Sequence, residues 1–303
     1  MELSKFVGSL IGTGIGDSLG AGSEGYFGFR EVREIGLRYT DDTAMMIGIA
    51  ESLIENKGFD GEQMAKRFME NYYKEPWRGY GPGPPQIFRM LKSGRKWNEN
   101  LDREMYPEGS FGNGAAMRIA PIGLFYYDDP VKLREVAYQS SRITHSHPLG
   151  IEGAALQAYA VALAVNIDPE KLDEYEFLKK LIDFVEVESY REKLKKMKIL
   201  LEEASDELKV IETLGNWVES FNSVPIAIYS FLANYGFKTV LNYALNVSQG
   251  GDRDTISAMA GAIAGACYGI EEIPKEWRDR LENGDYIEKL AEKLWEIKTG
   301  GEK

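Results

Sequence analysis

Apolar residues recur along most of this chain at helical spacing, and few stretches alternate as a β-strand would. Met46, Ile49 and Leu53 lie on one face of a predicted helix. Residues 151–165 are almost wholly apolar and rich in Ala, as in a buried helix. Residues 169–208 mix Lys and Glu with spaced apolar positions, which is typical of amphipathic surface helices. The pattern predicts an all-α fold.

Glycine occurs at every fourth position in two distant segments, residues 8–16 and 261–269. Residues four apart share one face of a helix, so each segment predicts a glycine stripe. A Gly inside a helix costs about 1 kcal/mol relative to Ala. We therefore expect both stripes to support close helix packing at the centre of the molecule.

Two segments read as loops. Residues 79–85 contain three glycines and three prolines and are predicted not to be helical. Residues 109–118 are rich in Gly and lead into an apolar run. Since no linker separates the two ends of the chain, residues 1–303 are predicted to form a single domain.

Composition excludes several classes of protein. The chain has 303 residues and a net charge of −12, so it lacks the positive excess that neutralises nucleic-acid phosphates. Glu2 cancels the charge of Lys5 and Asp17 interrupts the apolar N-terminal run, so we expect no signal peptide. The other long apolar run, residues 256–270, is shorter than the roughly 20 residues that a membrane span needs. Its one cysteine, Cys267, allows no internal disulfide and is expected only to pack, which favours a cytoplasmic location.

Two acidic motifs carry the chemistry that the sequence suggests. Residues 40–43 read Thr-Asp-Asp-Thr and residues 250–255 read Gly-Gly-Asp-Arg-Asp-Thr, each just before a predicted helix. Hard divalent cations prefer oxygen ligands, so we expect Mg²⁺ or Mn²⁺, with zinc less suitable. Asp41 and Asp42 point about 100° apart on a helix, so one could bind a first ion while the other reaches a second. The candidate metal ligands are Thr40, Asp41, Asp42, Asp252, Asp254 and Thr255.

The residues of these motifs also allow other interpretations. Asp and Thr are favoured helix N-caps, so either motif alone could be a simple cap. The presence of both motifs, with Gly16 and Asp17 in addition, favours a metal site. A phosphotransferase with an aspartyl nucleophile would need a buried strand before Asp252, and residues 241–247 read instead as helical or mixed. The spacing of an EF-hand is missing.

Five segments together resemble the ADP-ribosylglycohydrolase family, in the family's order and across residues 8–270. They read GTGIGDSLG followed by Glu24, YTDDT, GSFGNGAAMR, Thr144-His145 and GGDRDT. The resemblance implies a single-domain orthogonal helix bundle with a central binuclear magnesium site. One departure is Pro84, where the family pattern predicts a more polar residue.

The resemblance also implies roles for individual residues. The acidic motifs match the family's metal ligands, and Glu24 matches an acidic residue near the metals. Glu24, Asp41 and Asp254 are the candidate catalytic carboxylates. The candidate substrate-binding residues are Ser110, Gly112, Asn113, Gly114 and His145.

The resulting hypothesis is a magnesium-dependent hydrolase of the glycosidic bond between ADP-ribose and an arginine or serine side chain of a modified protein. Attack by metal-associated water at ribose C1″, with a carboxylate as base, is the mechanism expected. Two alternatives remain open, a hydrolase of a small ADP-ribose-like or nucleotide conjugate and a non-catalytic relative that only binds ADP-ribose or has a structural role.

Overall fold

The protein was studied as a computed structural model, which describes residues 2–23 and 37–300. These residues form helices joined by loops, and their β-structure is limited to two isolated β-bridges. The all-α prediction is therefore confirmed for them. The helices are α1 (Glu2–Ala21), α2 (Asp41–Asn56), α3 (Gly61–Lys74), α4 (Gly83–Lys92), α5 (Ala120–Phe125), α6 (Pro130–Ser141), α7 (Pro148–Asn166), α8 (Glu174–Phe184), α9 (Glu188–Glu202), α10 (Glu207–Leu214), α11 (Ser220–Leu232), α12 (Phe237–Val247), α13 (Arg253–Tyr268), α14 (Lys275–Arg278) and α15 (Gly284–Thr299).

The two glycine stripes form the centre of the fold, as predicted. α1 and α13 run antiparallel, with their backbones in contact along the stripes. A Cβ at Gly12 would lie only 2.3 Å from the carbonyl oxygen of Gly261, and one at Gly8 only 2.4 Å from that of Gly265. A side chain at these positions would force the two backbones apart, so glycine here permits the close approach that joins the two ends of the chain.

α7 packs against the middle of α13 and α11. It is the one helix of the described segments that is long and apolar enough to cross a membrane. Most of its residues are buried in the fold, however, as expected of a core helix. Cys267 on α13 is also buried, and burial raises the pKa of its thiol to about 12.

The prediction that residues 79–85 are not helical was wrong at their C-terminal end. α4 begins at Gly83 and takes Pro84 and Pro85 into its first turn. Proline is tolerated there because the first N–H groups of a helix have no partner within the helix. Residues 79–82 remain a loop.

Candidate active site

The starts of α2 and α13 face one cavity of about 560 Å³. The opposite wall comes from the glycine-rich segment 109–118 and from residues 144–145, which precede α7. Every candidate residue in the described ranges lines this cavity: Thr40, Asp41, Asp42, Ser110, Gly112, Asn113, Gly114, His145, Asp252, Asp254 and Thr255. Glu24 lies outside the residues that the structure describes.

Asp17 on α1 positions the start of α2. Its buried carboxylate accepts hydrogen bonds from the backbone N–H and the hydroxyl of Thr40, at 3.0 and 2.9 Å. It also accepts from the N–H and hydroxyl of Thr43, at 3.1 and 2.5 Å. Because all four donors belong to residues 40–43, α1 fixes this acidic motif in place.

Thr40 is the N-cap of α2, so the capping interpretation holds for this residue. Its hydroxyl accepts a hydrogen bond from the N–H of Asp42 at 3.4 Å and donates its proton to Asp17. A hydroxyl oxygen has two lone pairs, and one of them is still available for a ligand. Capping and metal binding by Thr40 are therefore compatible.

The second acidic motif begins α13 and is tied to the glycine-rich loop. Asp252 occupies the N-cap position without a side-chain capping bond. Its Oδ2 accepts a hydrogen bond of 2.5 Å from the side-chain amide of Asn113. Asp254 accepts from the N–H of Thr255 at 2.8 Å. Asn113 thus links the loop to the carboxylates, a contact that spacing along the chain could not predict.

Two backbone contacts and one buried carboxylate hold the glycine-rich loop. The N–H of Asn113 donates to the carbonyl of Val218 at 2.9 Å, and the N–H of Ser220 donates to that of Phe111 at 3.0 Å. Asp102 is fully buried, and its Oδ2 accepts from the N–H groups of Ser110 and Ser146, both at 2.7 Å. These contacts fix the loop backbone against the cavity.

His145 lies against this loop. A Cβ at Gly114 would lie 2.8 Å from its Cε1 atom, so glycine is required for the ring to pack here. Burial, aided by the nearby Arg118 guanidinium, lowers the pKa of His145 to about 3. The imidazole is therefore neutral at physiological pH and can form hydrogen bonds without carrying charge.

Burial and mutual repulsion raise the pKa values of three carboxylates at this site. Burial, together with repulsion from Asp254, raises the pKa of Asp17 to about 7. Burial, then repulsion from Asp17 and Asp254, raises that of Asp41 to about 7. The pKa of Asp42 is raised well above its ordinary value by burial and by Asp254. Such a cluster is costly without a cation.

The donor set fits a hard divalent cation. Oδ2 of Asp42 is buried and has no hydrogen-bond partner among the described residues. All the candidate ligands offer oxygen, which Mg²⁺ and Mn²⁺ prefer. Across residues 2–23 and 37–300, no three His, Cys, Asp or Glu side chains already converge on one point. The hydroxyl oxygens of Thr40 and Thr255, which also line the cavity, are candidate ligands in addition to these side chains.

Three buried residues at this site were not among the candidates from the sequence. Asp17 belongs to the motif Gly16-Asp17, which by itself indicates no role for this carboxylate. Asp102 lies in a short 3₁₀ turn outside every motif, so nothing in the sequence was a reason to select it. Arg118 was part of the matched segment 109–118, and its full burial is visible only in the structure.

The family model for ADP-ribosylglycohydrolase matches residues 2–302, which is nearly the whole chain. The chain belongs to the ADP-ribosylglycohydrolase family. Family membership makes it an enzyme of the glycohydrolase class, acting on glycosidic linkages of ADP-ribose.

Individual relatives agree with this assignment. The chain is 35% identical to ADP-ribosylhydrolase ARH3 of Homo sapiens, with 98% of the chain and 94% of the relative covered. It is 38% identical to the protein of that name from Xenopus tropicalis, covering 97% and 96%. It is 26% identical to ADP-ribosyl-[dinitrogen reductase] glycohydrolase of Rhodospirillum rubrum, covering 92% and 90%.

A solved structure named ADP-ribosylglycohydrolase-related protein complex has the same fold. It superposes with a TM-score of 0.78 at 26% identity, and the alignment covers 98% of this chain and 99% of that one. The shared fold therefore extends over nearly the whole of both chains.

Proposed function

We propose that this protein is a hydrolase, dependent on Mg²⁺ or Mn²⁺, that releases ADP-ribose from a modified protein side chain of arginine or serine type. The observation that carries the proposal is the single cavity onto which both acidic helix starts and the Gly-Asn-Gly loop open. Its volume of about 560 Å³ lies within the usual range for small-ligand sites.

The charges around the cavity suit a diphosphate in an acidic protein. The N-termini of α2 and α13 both point into it, and helix N-termini carry partial positive charge. The guanidinium of Arg118 is buried beside Asp41, and burial lowers its pKa only to about 9, so it stays charged at neutral pH. Neutral His145 adds a hydrogen-bonding group on the opposite wall.

Thr40, Asp41, Asp42, Asp252, Asp254 and Thr255 are the residues that would hold the ions. Bound Mg²⁺ or Mn²⁺ would supply charge stabilisation at the ribose and lower the pKa of a nearby water.

Cleavage itself requires only a water and two proton transfers. The water oxygen bonds to ribose C1″, and the bond from C1″ to the acceptor's nitrogen or oxygen breaks. A carboxylate of the site accepts the proton of the water, and the leaving atom takes up a proton. Glu24, Asp41 and Asp254 are the proposed carboxylates for these transfers.

A substrate panel tests the proposal. Purified protein is incubated with arginine-linked and serine-linked ADP-ribosyl peptides and with O-acetyl-ADP-ribose, and free ADP-ribose is measured. We expect release from at least one peptide, loss with EDTA and recovery with excess Mg²⁺. The matched variants are Asp254→Asn, expected to be inactive, and Asp285→Asn, an acid outside the cavity, expected to be unaffected.

The other outcomes identify the alternatives. Release from O-acetyl-ADP-ribose alone would favour a hydrolase of small conjugates. Binding of ADP-ribose without release from any linkage would favour a non-catalytic relative. Full activity in the presence of EDTA would contradict the dependence on metal.

A further inference from the structure

We propose that Arg118 and Thr144 are positioning residues, which fix His145 as the imidazole tautomer protonated on Nε2 and so make it a hydrogen-bond donor toward the cavity. The proposal rests on the proposed function only for the identity of the ligand that receives this bond. The tautomer itself is a property of the free protein.

Arg118 is the starting point because it is a fully buried guanidinium. It stacks over the ring of Phe68, with 4.5 Å from its Cζ to the ring centre. Its Nη2 donates to the hydroxyl oxygen of Thr144 at 2.8 Å and to the carbonyl of Ser140 at 3.3 Å. A guanidinium has only donors, so the oxygen of Thr144 must be the acceptor in that bond.

The hydroxyl of Thr144 also contacts the ring of His145, so the bond from Arg118 determines where the hydroxyl proton can point. Its Oγ1 lies 2.8 Å from Nδ1 of His145, and the residue is buried. The hydroxyl has a single proton, and in the described segments Nδ1 is the one acceptor bonded to Oγ1. With Nδ1 unprotonated, the hydroxyl accepts from Arg118 and donates to His145, so the oxygen and the proton of this hydroxyl are both bonded.

The opposite tautomer leaves a buried group without a partner. If Nδ1 carried the proton, both Arg118 and His145 would donate to Thr144, and the hydroxyl proton would have no acceptor among the described residues. An unsatisfied buried donor is disfavoured enough to change populations by about fivefold or more. The neutral state of His145 at physiological pH, which its lowered pKa supports, excludes a doubly protonated ring.

The proton on Nε2 then faces the ligand site. A Cβ on Gly114 would lie 3.1 Å from Nε2, and one on Gly112 would lie 3.4 Å from it. This edge of the ring therefore faces the glycine-rich loop. His145 lines the cavity, and no protein acceptor bonds to Nε2 within the described ranges. An oxygen-rich nucleotide ligand offers acceptors there, so a fixed donor favours its binding.

NMR of the ligand-free protein labelled with ¹⁵N-histidine tests this directly. The chain has only two histidines, and a His147→Gln variant assigns the signals. Two-bond proton–nitrogen correlations distinguish protonated from unprotonated ring nitrogens. For His145 we expect a protonated Nε2 and an unprotonated Nδ1 at neutral pH.

Variants of Thr144 test whether its hydroxyl fixes the tautomer of His145. Thr144→Val keeps the shape and removes the hydroxyl, and we expect a mixture of tautomers and an ADP-ribose affinity at least fivefold weaker. Thr144→Ser keeps the hydroxyl and should restore both. Ser141→Ala is the control, since it removes a buried hydroxyl whose one hydrogen bond among the described residues goes to the carbonyl of Ala137.

Two results would overturn the proposal. One is a protonated Nδ1 on His145 in the parent protein. The other is a folded Thr144→Val variant with unchanged tautomer and unchanged ADP-ribose affinity. If Thr144→Val does not fold, the parent spectrum still decides the tautomer. Because that spectrum needs no ligand and no turnover, it is independent of whether ADP-ribosyl bonds are cleaved.

Discussion

The close contact of α1 with α13 should couple helix packing to metal affinity, and two alanine substitutions can show it. A Cβ at Gly20 would lie 2.3 Å from the Cα of Asp254, directly at the candidate metal ligand. A Cβ at Gly8 would lie 2.4 Å from the carbonyl oxygen of Gly265, near the other end of the same pair of helices. The two variants have matched clashes and differ in their distance from the cavity.

The structure sets the size of both effects. Real Cβ atoms stay at least about 3.0 Å from such neighbours, so Gly20→Ala and Gly8→Ala each force about 0.6–0.7 Å of separation. Overpacking costs about 1–3 kcal/mol, and the better helix propensity of Ala returns about 1 kcal/mol. Both variants should therefore lose up to about 2 kcal/mol, a fall in Tm of up to roughly 8 °C.

Metal affinity should separate the two variants. Displacing a residue that positions a metal ligand typically weakens binding about 10–100-fold, and Gly20→Ala should lie in that range. Gly8 is twelve residues away along α1, about 18 Å, so its variant should bind like the parent. Calorimetric titration with Mg²⁺ and thermal unfolding provide the two readouts. Equal Mg²⁺ affinities in two equally destabilised variants would refute the reasoning.

Three further predictions concern buried charges. Asp17→Asn replaces an acceptor that holds the start of α2 and should weaken Mg²⁺ binding at least tenfold by calorimetry; parent-like affinity would contradict its positioning role. Since the folded-state pKa values of Asp17 and Asp41 are raised to about 7 from 3.8, metal-free protein should lose stability as pH rises from about 4 to 7. The gain in Tm on adding Mg²⁺ should therefore grow from pH 5 to pH 8, and a constant gain would count against it. Lys193 donates to the carbonyl of Phe221, which lacks its helical partner because Pro225 has no N–H. Lys193→Met should cost about 2–4 kcal/mol in urea unfolding, and less in a Pro225→Ala background; an equal cost in both would argue against this compensation.

Much of the fold was predictable because its signals are periodic. The glycine stripes predicted close helix packing, and α1 and α13 meet along them. The apolar segment 151–165 is the core of α7. The first turn of α4 was missed because proline usually ends helices, while at the first positions of a helix it costs no hydrogen bond.

The candidate site was predictable as a set of residues and not as a network. The family motifs marked the residues that line the cavity, and they gave no sign of which partners position them. Asp17 bonds Thr40, 23 residues away, and Asn113 bonds Asp252, 139 residues away. Arg118 acts through Thr144. Such pairs depend on how helices pack in space, which local spacing does not encode.

The account's central claim is that the two acidic helix starts bind a pair of divalent cations. Titration of Mg²⁺ or Mn²⁺ into chelator-treated protein, followed by calorimetry and elemental analysis, measures this directly. We predict two ions per chain in the parent and in Asp60→Ala, which removes an exposed helix N-cap away from the cavity. Asp41→Ala and Asp254→Ala should lose at least one ion. Parent-like metal content in both of these variants would contradict the claim and leave the motifs as helix caps.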